Sequence, residues 1–136
     1  NVSDLLNKMY IFTYKHNTMN TQYKIFLDDL RTVDMVYGPG RDHEFEIVRN
    51  VDDFKKIVED RGVPDYISFD HDLGLRDNGE VMDAYEEVKW MVYDKEYDLR
   101  NMKFMIHSAN PLAFGRINSL INNWNKELFK RDEHES

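Results

Sequence analysis

Three short apolar runs, each ending in a cluster of polar side chains, most constrain the fold of this chain. The runs are KIFLDDLR at residues 24–31, YISFDHDLG at 66–74 and KFMIHSANP at 103–111. Short β-branched and aromatic runs predict buried parallel strands, and two of these are followed by helical patterns. Ligands of open α/β sheets bind at the carboxyl ends of the strands. We therefore expect the three polar clusters to converge on one site.

The order of the predicted elements indicates an α/β fold. A further strand is predicted at about 45–49, which gives four strands and three main helices. Right-handed crossovers and flavodoxin-like winding predict a parallel sheet in the order 2-1-3-4, flanked by helices. Residues 30–44 contain Gly38, Pro39 and Gly40 and lack a helical period, so we expect a loop there.

Capping residues mark the predicted helices. Asn50 is expected to cap the first, with Asp53 three residues on, and Gly62 to end it. Asp77 or Asn78 is expected to cap the second. Asn110 and Pro111 form a cap and first-turn pair for the third. The apolar residues of the second and third helices recur at helical spacing: Val81, Met82, Tyr85, Val88 and Met91, then Phe114, Ile117, Ile121, Trp124 and Leu128.

The predicted elements form one domain at residues 23–130, between an N-terminal extension at 1–22 and a frayed tail at 131–136. The extension does not share the alternating pattern and is expected to be helical or partly disordered. Ser3 is a candidate cap of a short helix whose apolar face consists of Leu5, Leu6, Met9 and Phe12. Such a face would serve as a packing or dimer surface, so we expect that an oligomer can form through it.

Composition excludes several functional classes. The formal net charge is −8, which argues against general nucleic-acid binding and against binding to anionic membranes. No apolar run approaches the ~18 residues that cross a bilayer. Cysteine is absent, which excludes disulfides and thiolate chemistry, and no export signal is visible, so we expect a cytoplasmic protein. A small phosphate-containing ligand stays compatible, because a metal ion can reverse the local field.

Carboxylates cluster after two strands that are predicted to be neighbours. Asp28 and Asp29 follow the first strand, and Asp70 and Asp72 follow the third. Crowded carboxylates repel one another unless a cation is present, and all-oxygen clusters suit Mg²⁺. We therefore predict a site for Mg²⁺ or another divalent cation. The alternative is that Asp28 to Arg31 form a solvated loop with a local salt bridge.

Two histidines accompany these acids. His71 and His107 lie at adjoining strand ends, where one imidazole can accept a proton while the other donates one across a phosphodiester. We assign phosphate binding to Arg31, Ser108 and Asn110, the last two at a helix start that favours anions. The alternative is structural: strand-end histidines are often only hydrogen-bonded, and N-capping by itself explains Asn110.

FLDDLR, SFDHDLG and IHSANP resemble the cyclic-phosphate processing receiver domain, a relative of the receiver domains of response regulators. The resemblance covers about residues 24–124 and implies a reduced receiver fold that acts on cyclic phosphates of nucleotide or RNA-end origin. By this resemblance Asp28 and Asp29 match the receiver metal acids, and Asp70 the phospho-acceptor, which makes it a candidate catalytic residue. Ser108 matches the hydroxyl that follows phosphoryl transfer.

The sequence also departs from a signalling receiver. The receiver lysine lies at the end of a fifth strand, whereas Lys103 lies at the start of the fourth strand here, and no fifth strand is predicted. His71 and His107 have no counterpart in a signalling receiver. We therefore expect a metal-assisted phosphoesterase that opens a small cyclic phosphate. The alternative is a non-catalytic receiver-like module that binds a phosphorylated or cyclic nucleotide or a protein partner.

Overall fold

Four parallel strands form the central sheet of this computed structural model, which describes residues 22–70, 72–75, 81–107 and 111–135, with only the backbone for 72–75 and 81–82. The strands of the described residues are β1 (Lys24–Leu27), β2 (Glu46–Val48), β3 (Tyr66–Phe69), β4 (Asp72–Leu75), β5 (Val81–Asp83) and β6 (Lys103–Ile106). The parallel sheet has the order β2-β1-β3-β6. The predicted order 2-1-3-4, counted over these four strands, is confirmed.

The helices of the described residues are α1 (Val33–Tyr37), α2 (Val51–Arg61), α3 (Ala84–Lys89) and α4 (Pro111–Glu135), with a 3₁₀ turn at Asp42–Glu44 and a π-helical continuation of α3 at Trp90–Asp94. In α2 the Asn50 side chain accepts a hydrogen bond from the Asp53 amide at 2.8 Å, as its position predicts. Gly62 ends α2 with φ +91°, a conformation that glycine adopts without steric cost.

The prediction of an uninterrupted loop at residues 30–44 is wrong, because the single-turn helix α1 forms there. The Thr32 side chain accepts a hydrogen bond from the Met35 amide and caps α1. Val33, at its first position, is fully buried in a small cluster with Phe26 and Phe45. A helix this short shows no period in the sequence, and tertiary burial stabilises it.

The region after β3 also differs from the prediction. β4 and β5 pair as an antiparallel ribbon, so Val81 and Met82 lie on a strand and not on a helix. Helix α3 begins at Ala84, where the Asp83 side chain accepts a hydrogen bond from the Glu86 amide at 2.9 Å. The caps expected at Asp77 or Asn78 lie outside the described residues.

The C-terminal segment differs from the prediction, whereas most of the predicted N-terminal extension is not described. Helix α4 continues to Glu135, so residues 131–135, which were expected to fray, are helical. The predicted N-terminal extension, residues 1–22, lies outside the described residues except for residue 22.

The two faces of the sheet carry different chemistry. Ile25, Leu27, Ile67 and Phe69 point to one face, where they join the main hydrophobic core with residues of α2, α3 and α4. The alternate positions of the same strands point to the opposite face, because side chains alternate along a strand. This second face is partly covered by α1 and holds the polar residues described next.

Candidate functional site

Three ionisable side chains meet at the carboxyl edge of the sheet. Asp28, Asp70 and His107 each follow the last residue of a strand, β1, β3 and β6. One ligand atom from each lies within 4.8 Å of the others. The expected convergence of the three polar clusters is therefore confirmed for Asp28, Asp70 and His107. β3 ends at Phe69, and the Asp70 amide donates to the Leu27 carbonyl oxygen of β1 at 2.8 Å, which holds Asp70 beside Asp28.

Asp28 is the most enclosed of the three, with no exposed surface. Its Oδ1 accepts hydrogen bonds from the amides of Leu30 and Arg31, both at 2.8 Å. Its Oδ2 lies 2.7 Å from His107 Nε2. Burial alone raises the pKa of the Asp28 carboxyl, but the hydrogen bonds from Arg31, Leu30 and His107 outweigh burial and leave this pKa below its ordinary value. The carboxylate is therefore ionised at neutral pH.

His107 is held on three sides. Nε2 contacts Asp28, and Nδ1 lies 2.8 Å from the Ser68 hydroxyl. The ring stacks on Phe26 with centroids 4.6 Å apart and an interplanar angle of 6°. The side chain has no exposed surface, although the residue as a whole is partly exposed through its backbone. His107 therefore acts on a bound ligand through Asp28 unless their hydrogen bond opens.

A line of hydroxyl groups extends from His107 under α1. Ser68 Oγ lies 2.7 Å from Tyr37 Oη, which lies 3.3 Å from Tyr66 Oη. Sequence reasoning missed Ser68 and Tyr37. The available signal was alternation along YISFD, which places Ser68 between Tyr66 and Asp70 on the polar face of a buried strand. No comparable signal links Tyr37 to the site, because it lies on the helix that the sequence did not predict.

Arg31 brings positive charge to the acid pair. Its Nη1 lies 3.4 Å from Asp28 Oδ2 and 3.3 Å from Asp70 Oδ1. The side chain is 46% exposed, so the guanidinium is free to turn toward solvent. Arg49, which sequence reasoning also missed, donates from Nη1 to the Asp28 carbonyl oxygen at 3.1 Å and to the Arg31 carbonyl oxygen. These contacts hold the loop after β1 in place.

The donor set fits a divalent cation. Asp28 and Asp70 offer carboxylate oxygens and His107 an imidazole nitrogen, all within 4.8 Å of one another. Oxygens suit Mg²⁺, and an added imidazole suits transition metals. Arg31 Nη1 contacts the same two carboxylates, so a cation and this guanidinium would compete for one position.

Not all of the predicted site residues are placed at this edge of the sheet by the described part of the structure. Asp29 is exposed and lies outside the group of potential ligands among the described residues. His71, Ser108 and Asn110 lie outside the described residues, and the side chain of Asp72 is not described. The roles assigned to these residues stay predictions.

Fold and site together define a receiver-like α/β domain, with a parallel sheet in the order 2-1-3-4 and acids after its first and third strands. The described residues include no fifth parallel strand, in agreement with the predicted departure from signalling receivers.

Residues 23–123 match the family model of the cyclic-phosphate processing Receiver domain, and the chain belongs to that family. Searches of curated proteins and of solved structures found no significant match. None of the helices in the described part of the chain is both long and apolar enough to cross a membrane.

Proposed function

We propose that this domain is a metal-assisted phosphoesterase that opens a small cyclic phosphate of nucleotide or RNA-end origin. The observation that supports it is the convergence of Asp28, Asp70 and His107 within 4.8 Å at the carboxyl edge of the sheet. Membership of a cyclic-phosphate processing family supports the substrate class. Buried acids beside an imidazole at a strand-end site are typical of functional centres.

Asp28 and Asp70 are the proposed cation ligands. Further candidates are Asp29, which is exposed, and Asp72, whose role as a ligand is predicted from the sequence. Bound there, a divalent cation such as Mg²⁺ would supply charge neutralisation at the phosphoryl oxygens. Arg31 leaves the acid pair in this proposal and binds a phosphate oxygen, which its 46% exposure permits. Ser108 and Asn110, just before the 25-residue helix α4, are the other proposed phosphate ligands.

Ring opening needs two proton movements. A water oxygen attacks phosphorus, one ester P–O bond breaks, and the products are a phosphomonoester and a free hydroxyl. In the proposal His71 takes the proton of the attacking water. His107 Nε2, whose proton is shared with Asp28 at 2.7 Å, provides the proton for the leaving oxygen once that hydrogen bond opens.

A second candidate is a module that binds a phosphorylated or cyclic nucleotide without turnover. The observation that favours it is the saturation of the site: both ring nitrogens of His107 have partners, and Arg31 already bridges Asp28 and Asp70. A closed network of this kind suits recognition as well as chemistry.

A substrate panel separates the two candidates. The protein is incubated with 2′,3′-cyclic and 3′,5′-cyclic nucleotides, with and without Mg²⁺, and products are resolved by phosphate chromatography. We expect Mg²⁺-dependent opening of one class of cyclic phosphate, with Asp70→Asn slower by about 10²-fold or more. Asp60→Asn is the matched control, because Asp60 is an exposed acid in the last turn of α2. Binding without product supports the module, and neither binding nor product contradicts both.

Mg²⁺ binding is testable without a substrate. A ligand of the native state raises stability by RT ln(1 + [L]/Kd). We expect millimolar Mg²⁺ to raise the melting temperature of the parent and of Asp60→Asn, but much less that of Asp70→Asn. Equal shifts in all three proteins would remove the metal from the proposal.

A further inference from the structure

A groove of about 650 Å³ lies between α3 and the first half of α4. Tyr85 of α3 and Tyr93 of its π-helical continuation line one side, and residues of α4 between Pro111 and Asn123 line the other. The volume is typical of sites that hold small organic ligands. The lining combines aromatic and apolar side chains with a guanidinium, a hydroxyl and an amide, so it offers both stacking surfaces and hydrogen bonds.

Both sides of the groove begin beside the candidate site. Asp83, which directly precedes α3, is paired with Asp72 in the β4–β5 ribbon, and Asp72 lies two residues after Asp70. On the other side, Pro111 lies four residues after His107. The groove therefore lies within reach of the remainder of a ligand whose phosphate is bound at the acids.

Tyr85 and Arg116 form a stacked pair in this groove. The guanidinium carbon of Arg116 lies 4.1 Å from the centre of the Tyr85 ring, and Arg116 is exposed. At 1.5 Å per residue, Arg116 lies about 8 Å along α4 from Pro111, at the end of the groove nearer to the site. A guanidinium is planar, so stacking on the tyrosine through one face leaves the opposite face for a second planar group.

Arg116 also differs from the other described arginines in its partners. Each of the others contacts an oxygen atom of the protein: Arg31, Arg41, Arg49, Arg61, Arg100 and Arg131. Within the described part of the chain, the contact of Arg116 is the Tyr85 ring, and no oxygen atom pairs with its guanidinium. Its hydrogen-bond donors and its planar surface are therefore both available to a ligand.

We infer that this groove binds the nucleobase of a nucleotide whose phosphate lies at the acid pair, with the base stacked on Arg116. Bases recognised outside a duplex stack on aromatic rings and arginine planes, while polar side chains contact their edges. Ser119 and Asn123 follow Arg116 at spacings of three and four residues on the same side of α4, where they offer a hydroxyl and an amide. The inference rests on the proposed function for the position of the phosphate.

Two other roles for Arg116 make different predictions. If its guanidinium binds a second phosphate, the positive charge provides the affinity, and lysine is an adequate replacement. If it stacks on a base, the plane is required, and lysine lacks it. If Arg116 only packs on Tyr85, as Arg61 packs on Tyr23 at the same 4.1 Å, its replacement leaves ligand affinity unchanged.

The experiment is isothermal titration calorimetry in the presence of Mg²⁺ with two probes. One is a 2′,3′-cyclic nucleotide phosphorothioate, which carries a base, and the other is inorganic phosphate, which carries none. Arg116→Gln and Arg116→Lys are compared with Arg61→Gln, which removes a tyrosine-stacked guanidinium from α2. Asn123→Ala is compared with Asn122→Ala, because Asn122 is the neighbouring exposed asparagine and does not line the groove.

We expect both Arg116 variants to weaken nucleotide binding by about 10-fold or more, as the loss of one stacked base predicts. Asn123→Ala should weaken it by about 3- to 10-fold, the effect of one hydrogen bond. Binding of inorganic phosphate should stay at the parent level in these variants. Arg61→Gln and Asn122→Ala should bind both probes as the parent does.

Three results in the variants would overturn the inference: unchanged nucleotide affinity in Arg116→Gln, parent affinity in Arg116→Lys, or equal weakening of inorganic phosphate and nucleotide. A parent protein that does not bind the nucleotide would also overturn it. The proposed enzyme is judged separately by turnover. Nucleotide binding that depends on Arg116 without any product contradicts the phosphoesterase alone. Ring opening with an unchanged KM in Arg116→Gln contradicts the base site alone.

Discussion

Replacing Asp28 with Asn removes the central charge of the site while keeping the shape of the side chain. The new Oδ1 can still accept from the amides of Leu30 and Arg31, which lie 2.8 Å from the present oxygen. The new amide nitrogen replaces Oδ2, so a donor then faces His107 Nε2 and Arg31 Nη1. Both of these contacts are lost or must rearrange.

The expected cost follows from those two contacts. A hydrogen bond to a charged group contributes about 1.5–3 kcal/mol. The Arg31 contact is long, at 3.4 Å, and its guanidinium is 46% exposed, so solvent reduces its contribution. His107 can recover part of its contact by moving its proton to Nδ1. We therefore expect Asp28→Asn to lower the free energy of unfolding by about 2–3 kcal/mol at neutral pH, measured by urea denaturation.

The sign of the pH dependence provides a second readout. The folded state lowers the pKa of Asp28, so this carboxylate stabilises the fold above the ordinary carboxyl pKa of about 4, and its contribution is lost as pH falls further. The difference in the free energy of unfolding between the parent and Asp28→Asn should shrink below about pH 4. Asp29→Asn is the control, because exposed substitutions usually change stability by less than about 0.5 kcal/mol. Equal losses in the free energy of unfolding for Asp28→Asn and Asp29→Asn would contradict the stabilising role of the Asp28 carboxylate.

Three further predictions concern the fold around the site. Phe54 is fully buried in the main core, so Phe54→Ala should cost about 3–5 kcal/mol in urea denaturation, and a cost below about 1 kcal/mol would contradict this packing. Asn50→Ala removes the cap that accepts from the Asp53 amide and should cost about 1 kcal/mol by the same assay; no change would mean that the cap is not stabilising. Burial and the hydrogen bond with Tyr37 raise the pKa of Tyr66, so the parent should lose stability relative to Tyr66→Phe as pH rises above about 10. If the free energies of unfolding of the two proteins change in parallel with pH, this prediction is wrong.

The sequence was sufficient to predict the strand order of the parallel sheet and the proximity of Asp28 and Asp70. Both results follow from period and position: apolar runs specify buried strands, and parallel strands bring their carboxyl ends to one edge. The cap at Asn50 and the stop at Gly62 were also predictable, because they depend on neighbouring residues alone.

What the sequence did not specify depends on contacts between distant residues. Helix α1 is a single turn stabilised by the burial of Val33 beside Phe26, which no local pattern contains. The partners of His107 are Asp28 and Ser68, which lie 79 and 39 residues away in the chain. A strand-end histidine alone does not reveal whether its nitrogens face solvent or the protein, and here both described contacts lead inward.

The most direct test of the proposed ligand site locates a cyclic phosphate on the protein. Amide ¹⁵N–¹H spectra are recorded during titration with a 2′,3′-cyclic nucleotide phosphorothioate, which slows hydrolysis, in the presence of Mg²⁺. We predict that the largest shifts fall on the amides that follow β1, β3 and β6, including Arg31, Asp70 and His107, and that Asp70→Asn weakens them. Shifts confined to other surfaces, such as the groove between α3 and α4 around Tyr85 and Arg116, would contradict the claim that Asp28, Asp70 and His107 form the ligand site.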